Sequence, residues 1–67
     1  MKPKEVATIL KRNGFIERPQ KSGTSHRKFY NPDTNKTTIV PFHSRDLTKD
    51  TLAFIIKQSG IAKEDFR

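Results

Sequence analysis

His26 is the residue of this chain best suited to acid–base chemistry, because it follows a Ser/Gly/Thr segment and has basic neighbours. An imidazole titrates near neutral pH, so it both accepts and donates protons in the cell. Cleavage of RNA through its own 2′-hydroxyl needs a base, cations for the phosphate oxygens and an acid for the leaving oxygen. One histidine with basic neighbours is a minimal set of this kind. Residue types alone nevertheless favour the plainer interpretation, in which His26 only contacts phosphate or water.

The acid of such a reaction has several candidates in the sequence. His43 lies between Phe42 and Ser44 just before a predicted helix, a position more typical of a hydrogen-bonded connector residue. Lys28 and water are the alternatives. The sequence therefore leaves the identity of the acid open.

Basic residues concentrate in the loop and hairpin region of the chain, and they predict a phosphate-binding surface. They are Lys21, Arg27, Lys28, Lys36 and Arg45. A solvated charged face would contain the same residue types, but the excess of positive charge favours binding. Tyr30 is the aromatic residue placed to stack on a base, whereas most of the five phenylalanines are expected in the core.

The composition limits the classes of function. The 67 residues carry 14 Lys and Arg against 7 Asp and Glu, a net charge of +7 and a pI near 10.2. Such an excess favours a polyanionic partner, although an acidic protein would use the same surface. The chain has no cysteine, no P-loop motif and no carboxylate pair for a two-metal nuclease. We therefore expect no metal and no cofactor.

The length predicts one domain over residues 1–67. The apolar run at 6–10 is too short for a signal peptide, and no stretch is long enough to span a membrane. The lack of cysteine fits a reducing compartment. We expect a cytoplasmic protein that does not insert into a membrane.

Periodicity and capping signals predict two helices and three strands. The helices are expected over residues 3–13 and 49–59, each followed by a capping glycine, Gly14 or Gly60. The strands are expected over 15–18, 26–30 and 36–40. Thr48 is the predicted N-cap of the second helix, and residues 62–67 either form one more turn or fray.

The order α-β-β-β-α predicts an α+β fold, a three-stranded antiparallel sheet with both helices on one face. The other face is left to solvent or to a ligand. If Phe29 points inward, strand alternation places His26, Lys28 and Tyr30 together on that uncovered face.

Several segments together resemble the HicA family of toxins, also called the YcfA-like family. They run in order through Asn13-Gly14-Phe15, Ser22-Gly23-Thr24-Ser25-His26, Phe29-Tyr30-Asn31-Pro32-Asp33, Thr38-Ile39-Val40-Pro41-Phe42-His43, Asp46-Leu47, Thr51-Leu52 and Ile55-Ile56-Lys57-Gln58-Ser59-Gly60-Ile61. The resemblance covers nearly the whole chain. Thr24 departs from it, because the family usually has Gly-Ser-His without an intervening residue. Arg27 stands where many relatives have a second histidine.

The resemblance implies a double-stranded-RNA-binding-domain-like fold and an RNA-cleaving toxin that degrades messenger RNA. It implies a HicB-type antitoxin that covers the active site. The catalytic histidine of the family corresponds to His26. We expect Lys21, Ser25, Arg27, Lys28 and Tyr30 to bind RNA around it. The alternatives are a non-catalytic RNA-binding module of the same fold and a protein-interaction domain with an acidic partner.

Overall fold

The chain folds in the order α-β-β-β-α, as the sequence predicted. A computed structural model describes residues 1–18, 26–42 and 45–66. The elements are α1 (Pro3–Arg12), β1 (Ile16–Arg18), β2 (His26–Asn31), β3 (Lys36–Pro41) and α2 (Lys49–Ser59), followed by a 3₁₀ turn at Lys63–Asp65. Every bound of a predicted helix or strand lies within one residue of the observed one.

Helix α1 is capped at both ends by local hydrogen bonds. At its start, Glu5 Oε1 accepts a hydrogen bond of 2.8 Å from the backbone N–H of Lys2. At its end, Gly14 has φ +89°, and the Phe15 N–H donates to the Leu10 carbonyl over 3.0 Å. This is the Schellman arrangement, in which a left-handed residue turns the chain out of the helix. The predicted glycine cap is therefore confirmed.

Helix α2 is also capped as predicted. The hydroxyl oxygen of Thr48 accepts from the Thr51 N–H over 3.1 Å. Gly60 follows the helix with φ +71°, and its N–H donates to the Ile56 carbonyl. The 3₁₀ turn after α2 confirms the first of the two predictions for the C-terminal residues, and it brings Phe66 into the core, where it is buried.

The three strands form one antiparallel sheet in the order β1-β2-β3, so β2 is central. In the register between the strands, Tyr30 of β2 lies between Ile16 of β1 and Thr37 of β3. His26 begins β2 and pairs with Pro41 at the end of β3. Among the described residues, β1 pairs with Lys28, Phe29 and Tyr30, so this part of β2 has a neighbouring strand on both sides.

Both helices cover one face of this sheet. Buried residues of α1 and α2 pack in one cluster with Phe29 and Val40, which point to that side. On the opposite side of the sheet Ile16 and Ile39 stay about half exposed. The predicted two-layer arrangement is therefore confirmed. Of the five phenylalanines, Phe54 is the exception to a core role, since it is 59% exposed on α2.

None of the helices formed by residues 1–18, 26–42 and 45–66 is long and apolar enough to cross a membrane.

Candidate functional site

The uncovered face of the sheet, here called the open face, is defined by the side chains that alternate with the buried ones. Its residues come from all three strands. They are Ile16 and Arg18 of β1, His26, Lys28 and Tyr30 of β2, and Thr37, Ile39 and Pro41 of β3. No helix formed by residues 1–18, 26–42 and 45–66 packs against the open face, so a ligand could contact several strands there at once.

Three of the predicted site residues lie together on the open face. His26 and Lys28 are exposed and Tyr30 is half-buried, whereas Phe29 between them is fully buried on the helix side. The predicted alternation of β2 is therefore confirmed. The predicted RNA-binding residues Lys21 and Ser25, and the candidate acid His43, lie outside the described residues.

Arg27 is on the other side of the sheet from His26, with Phe29. Its guanidinium lies 3.6 Å from the carboxylate of Glu17 and stacks over the Phe42 ring at 4.2 Å from the centroid. These contacts tie the start of β2 to β1 and to the segment after β3. Strand alternation indicates the same placement, because Arg27 and Phe29 are two residues apart on β2 and therefore point to the same face. The predicted role of Arg27 in RNA binding stays a prediction, but it would not be exerted on the open face.

Arg18 belongs to the open face and was missed among the basic residues of the sequence analysis. It pairs across the sheet with Lys28, and its guanidinium carbon lies 5.9 Å from the centroid of the Tyr30 ring. The antiparallel register of β1 with β2 is what places Arg18 on the open face. Alternation within β1 alone does not show whether Arg18 lies on the same face as Lys28 and Tyr30.

A groove of about 360 Å³ runs across the open face between Arg18, Lys28, Tyr30 and Thr37. The Tyr30 hydroxyl donates a hydrogen bond of 3.1 Å to the side-chain oxygen of Asn35, which fixes the ring at the rim of this groove. Two cations and one aromatic ring therefore surround a space that is open to solvent.

Lys36 and Arg45, the other predicted phosphate-binding residues, are not part of this group. The side-chain carbons of Lys36 lie against Gly60, with Cε 2.9 Å from where a Cβ on that glycine would be. Lys36 thus reaches toward the C-terminal end of α2, where a cation is favourable. Arg45 is exposed just before α2.

The charge of the open face is positive. Its side chains include the cations Arg18 and Lys28 but no carboxylate, because Glu17 of β1 points to the helix side. Among residues 1–18, 26–42 and 45–66, no three His, Cys, Asp or Glu side chains gather as metal ligands would. The arrangement offers an imidazole for proton transfer, cations for phosphate oxygens and a ring for stacking.

These features define a small, basic α+β domain with a cationic, partly aromatic sheet face opposite its two helices. The family model of the HicA toxin of bacterial toxin-antitoxin systems matches residues 3–61. The chain therefore belongs to the HicA toxin family, and a toxin of this kind pairs with an antitoxin. No individually curated protein matches the chain.

Proposed function

We propose that this HicA-family toxin is a metal-independent endoribonuclease that cleaves messenger RNA with His26 as its catalytic residue. The observation that carries the proposal is the register of β2, which aligns His26, Lys28 and Tyr30 on the open face. Arg18 joins them from β1. Family membership supports a toxin of this kind, and the positive charge supports a polyanionic substrate.

The proposed reaction uses the nucleophile that RNA itself carries. His26 removes the proton of a 2′-hydroxyl, and the oxygen attacks the adjacent phosphorus while the bond from phosphorus to the 5′ oxygen breaks. The products are a 2′,3′-cyclic phosphate and a 5′-hydroxyl end. Lys28, on the same face of β2, would stabilise the negative charge that develops on the phosphate oxygens. Lys28, His43 and water remain the candidates for protonating the leaving oxygen.

The first prediction is that purified wild-type protein cleaves single-stranded RNA in EDTA and that His26→Ala does not. Removing a general base of this kind should lower the rate about 10²- to 10⁴-fold. Gel analysis of end-labelled RNA measures the rate, and the chemistry of the product ends identifies the nucleophile. A matched strand with 2′-deoxyribose should bind without being cleaved.

Arg12→Ala, on α1 and away from the open face, is the control for loss of a cation. Equal cleavage by His26→Ala and the wild type would show that His26 is not the catalytic residue. Dependence of cleavage on a divalent cation would refute the metal-independent mechanism. Expression of the same variants in growing cells tests whether growth arrest follows RNA cleavage.

A non-catalytic RNA-binding module of the same fold is the second candidate. It is favoured by the fact that the open face combines two cations with an aromatic ring, which suffices for binding without cleavage. Tight binding of RNA by the purified protein, with no cleavage that depends on His26, would establish this candidate instead.

The antitoxin is proposed to be a HicB-type protein that covers the open face. An acidic surface on that protein would complement Arg18 and Lys28. RNA and antitoxin should then compete, so the purified complex should neither bind nor cleave RNA. An antitoxin complex that binds RNA as strongly as the toxin alone would place the antitoxin elsewhere. A toxin that binds its antitoxin but no RNA, even at low salt, would favour the protein-interaction domain.

A further inference from the structure

We infer that the groove between Arg18, Lys28, Tyr30 and Thr37 is a subsite for one unpaired nucleobase of the RNA, close to the scissile phosphate. This inference rests on the proposed function and adds a substrate-positioning role to it. The volume of about 360 Å³ is in the range of pockets that hold small organic ligands. The groove draws side chains from all three strands, so its shape depends on the register of the whole sheet.

Tyr30 supplies the stacking surface of this subsite. Its ring is anchored at one end by the backbone of β2 and at the other by the hydrogen bond from its hydroxyl to Asn35. A ring held in this way loses little rotational freedom when a base stacks on it. Unpaired bases of RNA are bound on such rings, because every base presents a π face.

Arg18 forms the second wall of the subsite. Its guanidinium lies 5.9 Å from the Tyr30 ring centroid, and within residues 1–18, 26–42 and 45–66 it makes no ion pair. A planar guanidinium both stacks on a π system and donates to the edge of a base or to its phosphate. On the β3 side, the Thr37 hydroxyl offers one more donor or acceptor.

The spacing along β2 relates this subsite to the catalytic residue. His26, Lys28 and Tyr30 alternate along the strand, and a rise of about 3.3 Å per residue separates successive ones by about 7 Å. Lys28 therefore lies between the imidazole and the ring, where it can contact a phosphate of the strand that spans them. The base on Tyr30 then belongs to a nucleotide one or two positions along the RNA from the scissile phosphate.

The test combines a change in the protein with a change in the RNA. A short single-stranded RNA is made with one abasic position at a time, and its affinity is measured by fluorescence anisotropy with His26→Ala protein, which prevents cleavage. One abasic position should weaken binding roughly 5- to 150-fold, the effect expected for loss of one stacked base. In the double variant His26→Ala/Tyr30→Ala, the same abasic position should not weaken RNA binding further. The abasic position and the Tyr30→Ala substitution remove the same stacking contact, so their effects on affinity should not add.

Arg18→Ala should lower the penalty of the same abasic position, whereas Arg12→Ala, on α1, should leave it unchanged. Arg18 is exposed, so this pair of variants keeps the test valid if Tyr30→Ala does not fold. Equal penalties at that abasic position with and without Tyr30 and Arg18 would overturn the subsite. Cleavage by the wild type is measured separately: if it is absent while the coupling is present, the subsite stands and the proposed function fails.

Discussion

Asn31 shows how much one buried polar side chain contributes to this small domain. It is 5% exposed at the end of β2. Its Nδ2 donates to the Asn13 carbonyl over 3.1 Å, and its Oδ1 accepts from the backbone N–H groups of Asp33, at 2.9 Å, and Thr34, at 3.4 Å. One side chain thus connects the end of α1 to the turn between β2 and β3. In the sequence analysis Asn31 was named only within the segment Phe29-Tyr30-Asn31-Pro32-Asp33 of the family resemblance.

The prediction at this scale is that Asn31→Ala lowers the free energy of unfolding by about 1–3 kcal/mol, because partly buried donors and acceptors lose their partners. Urea unfolding followed by circular dichroism measures it. Thr34→Ala is the matched control, since it is exposed in the same turn and keeps its backbone N–H. An equal stability of the two variants would show that water replaces the Asn31 contacts without cost.

At the scale of the elements, each helix is followed by a glycine in the left-handed region, Gly14 after α1 and Gly60 after α2. The two glycines differ in the side chains that lie next to them. A Cβ on Gly14 would lie 3.4 Å from the side-chain nitrogen of Asn31, an ordinary contact. A Cβ on Gly60 would lie 2.9 Å from Lys36 Cε, which is too close. Since Lys36 is long and flexible, its end can move aside. The conformational cost at φ +71° should therefore exceed the steric cost.

Gly60→Ala is therefore expected to destabilise the domain by about 1–2 kcal/mol, the cost of holding an L-residue in the left-handed region. The same loss is expected when the substitution is made in Lys36→Ala protein, where the contact is gone. Thermal and urea unfolding of the four proteins of this double-mutant cycle measure the difference. Disappearance of the loss in the Lys36→Ala background would show that the contact, and not the backbone, determines it.

At the scale of the whole molecule, the fold separates the charges of the sheet. Glu17 points to the helix side, where its carboxylate lies 3.8 Å from Lys11 and 3.6 Å from Arg27. The residues of the open face include the cations Arg18 and Lys28 but no carboxylate. A molecule with a net charge of +7 thus has a specific surface to which a polyanion should bind.

The salt dependence of binding tests this distribution of charge. For single-stranded RNA and cleavage-deficient His26→Ala protein, Lys28→Ala should reduce the slope of log affinity against log salt concentration by about 0.7, the contribution of one phosphate contact. Arg12→Ala should leave the slope unchanged, because Arg12 lies on α1, in the layer on the other side of the sheet. Equal reductions in the two variants would show that RNA binds over the entire surface.

The sequence by itself determined the elements and their ends. Thr48, Gly14 and Gly60 act through hydrogen bonds and φ angles within a few residues of the chain, so their effects can be inferred locally. Alternation along β2 likewise placed His26 and Tyr30 on one face without knowledge of any partner strand. The fold class followed from the order of the elements, since each apolar face must be covered.

Only the tertiary structure decided which distant residues complete the candidate site. Arg18 joins Lys28 and Tyr30 because of the register between β1 and β2, which pairs residues separated by 10 or more positions. Asn31 is buried because the end of α1 reaches it from 18 residues away. Such contacts depend on which strands pair and in what register, and local propensities do not encode that choice. The positions of His26 and Lys28 on their strand were thus predictable, whereas the groove beside them exists only in the folded sheet.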